Sequence, residues 1–251
     1  MALLVLGSKP DASILHPSPV ASRKLATGHG CMSGLAEVQF TLIDSREEPH
    51  DGYQYDVFLS YKRANRWPRF VNAIFIPMFR HWLEEEMGCP PRIFFDADVI
   101  ETGESWPHRL ASGVASSKVM VCLWSNEYFC SPWCQAELSQ MLARRERTKI
   151  NSVPLPLILA MVIHDGQNIA PYLNDIERMP IQKYANPWMA KDSPRAEELS
   201  NRVRKFSSHV HHAISRAPMC DPAWSQIAAA EFVQLFAQQA SQGKVPSLGA
   251  G

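Results

Sequence analysis

Lys118-Val-Met-Val-Cys-Leu-Trp124 is apolar at every position after its lysine. A strand with one wet face would alternate polar and apolar side chains. An unbroken run instead suits a strand of a parallel sheet covered on both sides. Upstream, Arg92-Ile-Phe-Phe-Asp96 reads as another strand, followed by a loop at Glu101-Thr-Gly-Glu104 and a helix that Pro107 is placed to begin. Further back, Tyr55-Asp-Val-Phe-Leu-Ser60 is a first strand. It leads into a long apolar-periodic segment from Trp67 to Met87 that Gly88 stops. Pro77 inside that segment predicts a kink or a split, because proline lacks one backbone donor and its ring crowds the preceding turn.

Downstream, Ser131-Pro132 supplies an N-cap and a first helical residue for a helix through about Arg147. Pro156 to Ile163 is a fourth buried strand, Pro180 to Tyr184 a short fifth, and the chain from about Arg195 is mainly helical. This alternation predicts an α/β fold, with a parallel, doubly wound, flavodoxin-like five-stranded sheet, helices on both faces, and a helical C-terminal extension. Residues 1–52 mix Pro, Ser, Gly and charge without sustained periodicity, apart from a short apolar piece at Val38–Ile43, and read as a poorly ordered leader. Met32 opens a shorter frame within it. The domain proper is expected over 53–190, and a helical segment with a flexible tail over 191–251.

Composition narrows the function. Hydrophobic residues are 46% and charged residues 20%, enough apolar material for a packed core. Lys and Arg total 25 against 25 Asp and Glu, so no basic surplus is on hand to neutralise a phosphate backbone, and nucleic acid is not an expected partner. The six cysteines are too sparse for a disulfide scaffold, which points to a reducing, cytoplasmic setting. The opening Met-Ala-Leu-Leu-Val-Leu-Gly is too short for a signal peptide. No apolar run reaches the ~20 residues of a membrane helix, so no membrane partner is expected.

In open parallel sheets ligands bind beyond the carboxyl ends of the strands. That directs attention to Ser60, Tyr61, Lys62 and Arg63, to Asp96–Glu104, and to Trp124–Glu137. On the helix after Ser131, Cys134, Leu138, Met141 and Leu142 form a stripe that should face the sheet. Trp133 and Glu137, spaced i and i+4, lie together on its flank and near the strand ends. From spacing alone, the commoner reading is a packed indole and a solvated acid near the positive end of a helix. Lys62 and Arg63 likewise have solvent as their commoner fate.

Other chemistries find little support. Cys130 and Cys134 have no second Cys or His pair at a zinc-site interval, and His209, His211 and His212 cluster on a polar helix. A phospho-receiver would need an acidic pair where Ser60–Arg63 stand. No glycine-rich phosphate loop follows any strand.

Taken together, several motifs resemble the Toll/interleukin-1 receptor (TIR) domains, and especially their bacterial enzymatic members. Tyr55-Asp-Val-Phe-Leu-Ser-Tyr-Lys-Arg63 is similar to the family's opening strand, and Arg92–Asp96 with Glu101-Thr-Gly-Glu-Ser-Trp106 to its second strand and following loop. Ser117–Ser125 is similar to its third strand, and Tyr128-Phe-Cys-Ser-Pro-Trp-Cys-Gln-Ala-Glu-Leu138 to the loop and helix after it. The resemblance spans about Tyr53 to Tyr184. It implies the TIR fold and, in NAD⁺-cleaving members, a catalytic glutamate with an aromatic residue four positions earlier that stacks on the nucleotide. Those positions are Glu137 and Trp133 here. Phe58, Ser60, Lys62, Arg63, Gly103 and Trp106 are implicated in shaping the substrate pocket.

What the resemblance implies is an NAD⁺ nucleosidase with no metal and no cofactor, NAD⁺ being the substrate, that acts in immune or antiphage signalling. Its partners would be further copies through TIR self-association, and an activating protein or small ligand. Many family members are instead non-enzymatic adaptors that work through TIR–TIR contacts and commonly lack the glutamate.

Overall fold

The computed structural model describes residues 51–63, 65–95, 106–165 and 173–222, with isolated positions 230, 232 and 234; of Trp106 and Pro107 only the backbone is described. Residues 1–50 of the leader and the 96–105 loop, with Gly103, lie outside the described residues.

Five strands, β1 (Tyr55–Tyr61), β2 (Ile93–Phe94), β3 (Ser117–Trp124), β4 (Ile158–Val162) and β5 (Glu177–Pro180), form one sheet in the order β2-β1-β3-β4-β5. Every pairing is parallel. The order reverses direction between β1 and β3, the switch point at which such sheets open a crevice.

The unbroken apolar character of β3 has the expected cause. Val119, Val121 and Leu123 join one core layer with Val57, Leu59 and Met161, while Met120, Cys122 and Trp124 join the other with Phe58 and Ala160. The first layer is covered by α1 (Trp67–Phe70), α2 (Ile76–Met87) and α6 (Pro194–Ser215), and the second by α3 (Trp106–Ala115), α4 (Asn126–Phe129) and α5 (Pro132–Arg147). Gly113 of α3 lies so close to the Phe94 ring that an added Cβ would sit 2.7 Å from it, so a larger residue there would push helix and strand apart.

The long first helical segment is not broken at Pro77 but stays helical from Trp67 to Met87. Val71–Phe75, just before Pro77, widens into a π-helical stretch, the local change of winding through which a proline is accommodated inside a helix. Gly88, at φ 71°, closes α2 in the left-handed conformation.

Two further expectations are corrected. The second strand is shorter than Arg92–Asp96. The last strand covers Glu177–Pro180, and residues from Ile181 to Tyr184 form a turn closed by the Tyr184 N–H to the Ile181 carbonyl at 2.8 Å. Pro180 is the last residue of the strand; the Ile181 N–H still donates to the Val162 carbonyl of β4 at 2.9 Å, so the nitrogen of Pro180 points away from β4, where an edge strand tolerates proline. Ile181, wholly buried, supplied an apolar signal that belongs to the turn.

The helix α6 belongs to the same core as the sheet, through Leu199, Val203, Phe206 and Val210. No helix among the described residues is long and apolar enough to cross a membrane.

Candidate active site

Alternation along β1 sets the site. Phe58 and Ser60 point to the α5 face while Leu59 and Tyr61 point to the other. Phe58 is 1% exposed and stacked on Phe94 at 5.0 Å, so it shapes the crevice from below by fixing β1 against β2. Ser60, next to the end of β1 and beside Cys122 of β3, is buried and meets two side chains from other elements. Its hydroxyl donates to Glu137 Oε2 at 2.5 Å and lies 2.9 Å from the Tyr128 hydroxyl. Thus β1, α4 and α5 converge on a hydroxyl and a carboxylate.

The bland alternative of a solvated Glu137 does not hold, because the residue is 6% exposed. Nor is its carboxylate sealed in apolar packing, since Ser60 reaches it. Trp133, one turn earlier on α5, is half-buried and packs at the edge of the same core layer. Lys62 and Arg63 follow β1, both half-buried.

The surroundings keep their protons. Burial pushes the Cys122 thiol up to about 12 and raises the Tyr128 phenol and the Cys134 thiol well above their ordinary values; Glu137 adds to each shift, and Lys62 opposes that of Cys134. None of the three is an anion at neutral pH. A cysteine nucleophile is therefore not available in this cluster.

On the far side of α4, a cavity of about 670 Å³ opens beyond the carboxyl ends of β1, β3, β4 and β5. It is lined by Asn65, Arg66, Trp67, Asn126, Glu127, His164, Asp165 and Ala185–Pro187, and not by Glu137. Asn65 and Asp165 both hold positive φ, at 57° and 33°, a strained backbone that clusters at functional clefts. The Asn65 amide donates to Glu127 Oε1 at 2.5 Å, while Glu127 Oε2 is buried with no hydrogen-bond partner among the described residues. That oxygen is an acceptor in wait of a donor.

Sequence reasoning directed attention to the strand ends beyond which this cavity opens, but neither Trp133 nor Glu137 lines it, and the loops after β4 and β5 that complete it were missed. It also passed over Tyr128, whose role depends on the turn of α4. There, the Ser125 hydroxyl caps the helix by accepting from the Tyr128 N–H at 3.2 Å.

These features define a class: a doubly wound parallel α/β domain with its polar cleft at the switch point. The family model described as TIR domain matches residues 57–182, about half of the chain, and the chain belongs to the TIR domain family. Among solved structures it is similar to the TIR domains in the structure of the activated Roq1 resistosome directly recognizing the pathogen effector XopQ. The identity is 17% over 72% of this chain and 98% of that one, with a TM-score of 0.33, too low to carry an argument about function.

Proposed function

We propose that this TIR domain cleaves NAD⁺ at the nicotinamide–ribose bond, with Glu137 as the catalytic carboxylate. The observation that carries the reading is the Glu137 side chain held by the Ser60 hydroxyl at the carboxyl end of β1, while a ligand-sized cavity lined in part by Asn126 and Glu127 of α4 opens beyond the same strand ends.

One carboxylate suffices for this reaction. Glycosidases need a second one to protonate a departing oxygen. Nicotinamide, attached to ribose as a cationic pyridinium, leaves neutral by taking the pair of the breaking C1′–N bond. The ribose then becomes oxocarbenium-like, and a negative charge nearby lowers the energy of that state by several kcal/mol, on the order of what preorganised electrostatic groups supply. Water adds to C1′ and releases one proton, giving ADP-ribose; attack by a group of the same adenosine gives a cyclic isomer. Trp133 stacks on a ring of the substrate, and Lys62 and Arg63 stand where a pyrophosphate would pass. Gly103 would contribute from the loop outside the described residues and Trp106 from the start of α3. The cavity takes the remaining half of the dinucleotide, whose hydroxyls can donate to Glu127 Oε2. No metal or cofactor is required.

Glu137 is buried, so it must be uncovered further before ribose can reach its carboxylate. Self-association through TIR domains, or an activating protein or small ligand, is the proposed trigger, in an immune or antiphage role in the cytoplasm. The same burial favours the second reading, a non-enzymatic TIR adaptor in which Glu137 only supports α5. The deciding measurement is nicotinamide release from NAD⁺ by the concentrated protein, with and without a crowding agent, beside Glu137→Gln. Equal release by both proteins sinks the assignment of Glu137. Binding to TIR partners with no turnover in any condition selects the adaptor.

A further inference from the structure

The hydroxyl cluster behind Glu137 has a direction, fixed by counting hydrogens. Ser60 Oγ carries one, and at 2.5 Å from Glu137 Oε2 it is committed to the carboxylate. The 2.9 Å contact between Ser60 and Tyr128 must then use the phenol's hydrogen. Tyr128 has a second acceptor in reach, Cys122 Sγ at 3.4 Å, but sulfur is the weaker and more distant one. The chain therefore runs from Tyr128 through Ser60 to Glu137.

From this we infer that Tyr128 is a positioning residue for Glu137 that acts through Ser60. The inference rests on the proposed role of Glu137 and deepens it. Tyr128 is wholly buried, its ring is set edge-on to Phe129 at 5.3 Å, and its backbone is held at both ends, by Ser125 and by the Ser131 N–H to its carbonyl at 3.1 Å. A hydroxyl so fixed cannot follow Ser60 elsewhere. It therefore selects the one Ser60 rotamer that faces Glu137. Because burial raises the phenol well above its ordinary value, the donor is present at neutral pH. Each donor in such a chain also polarises the next, which strengthens the final bond to the carboxylate.

The test is a double-mutant cycle on the full chain. Tyr128→Phe keeps the ring and its packing and removes only the hydroxyl. It should lower kcat for nicotinamide release up to about tenfold, the upper end for one neutral hydrogen bond, with KM for NAD⁺ little changed. Ser60→Ala should lower it further, and Tyr128→Phe in the Ser60→Ala background should then have no added effect. The same fractional loss in both backgrounds, or no loss in either, overturns the inference. A readout without turnover covers the case of variants or wild type that do not react: the carboxyl carbon resonance of Glu137 in ¹³C-glutamate-labelled protein, assigned with Glu137→Gln. Its titration should move to higher pH in Tyr128→Phe and in Ser60→Ala; a titration unmoved by Tyr128→Phe overturns the inference. A wild type that releases no nicotinamide removes the proposed activity, whereas the resonance still decides whether Tyr128 governs Glu137.

Discussion

Strand β1 holds a buried carboxylate at each end, and the two are treated differently. At its start, Asp56, 3% exposed, accepts from Arg92 Nε and Nη2 and from the Arg92 N–H, and lies 3.0 Å from Lys118 Nζ. Lys118 in turn reaches Asp51 at 2.7 Å. At its other end, Ser60 donates to Glu137. Cations cancel a carboxylate's charge and tie elements together. The Ser60 hydroxyl orients the Glu137 carboxylate, whose charge, on the proposed function, acts on a cationic transition state. One end of the strand is built for cohesion and the other is where the proposed chemistry would occur, and each can be tested against the other.

The largest contrast is expected from Glu137→Gln, which keeps the shape and the Ser60 contact but removes the charge. Turnover should fall by about 100- to 1000-fold, the range for loss of a single preorganised electrostatic group, while urea unfolding stays near that of wild type. Asp56→Ala should do the reverse. It removes the carboxylate that Lys118 and Arg92 share and should cost about 2–3 kcal/mol, below the usual 3–5 for a broken buried pair because Lys118 keeps Asp51, Arg92 keeps the Tyr53 carbonyl and the Arg92 side chain is 41% exposed. Turnover per folded molecule should not change. Finding Glu137→Gln unstable but active would reverse the roles given to the two ends.

The contrast was only half visible in the sequence. Strand β3 was legible because both its faces are buried, so every residue had to be apolar. Strand β5 was not, because an edge strand made of Glu177-Arg-Met-Pro180 is held by its backbone and buries little. Glu137 and Trp133 could be placed on a helix flank from i, i+4 spacing. The depth of Glu137 could not, since it is set by how closely α5 lies on β1. Tyr128 looked like one more core aromatic, and only the register of Ser60 beside Cys122 makes its hydroxyl meaningful. The Asp56 network was hidden for a similar reason: its members, Asp51, Asp56, Arg92 and Lys118, are scattered in sequence and meet only when the sheet forms.

The pH dependence of stability should follow the cohesive end. Burial pushes Asp56 up, but the hydrogen bonds from Arg92 and Lys118 outweigh it and hold the carboxyl below its ordinary value. Its contribution is therefore present above the unfolded carboxylate value of about 4 and is lost as pH falls through the lower folded value. For Lys118, burial lowers the value, but its bonds to Asp51 and Asp56 raise it overall. That contribution is present below the unfolded lysine value of about 10.4 and is lost as pH rises through the folded one. Urea midpoints should thus be flat across neutral pH and fall on both sides, and Asp56→Asn should flatten the acid side. An acid limb unchanged in Asp56→Asn would move the source of acid lability elsewhere.

The smallest effect sharpens the comparison most. Tyr53 stands just before β1, where its hydroxyl accepts from the buried Arg144 guanidinium of α5 and donates to the Pro218 carbonyl at 2.9 Å, joining the start of the domain to the chain beyond α6. Arg144 also donates to the Ser117 carbonyl at 2.6 Å and lies 4.9 Å over the Tyr53 ring. Tyr53→Phe keeps the ring and the Ser117 bond, so the loss should be about 1 kcal/mol, read as a fall in Tm of a few degrees in calorimetry. Because Arg144 and Glu137 are carried by one helix, α5 is the physical link between the two ends. If the ends are independent, turnover is unchanged in Tyr53→Phe. If loosening Arg144 lets α5 shift against β1, the 2.5 Å bond from Ser60 to Glu137 lengthens and kcat falls with KM unchanged. A fall in kcat larger than the loss of folded protein would therefore show that the cohesive end sets the geometry of the chemical one.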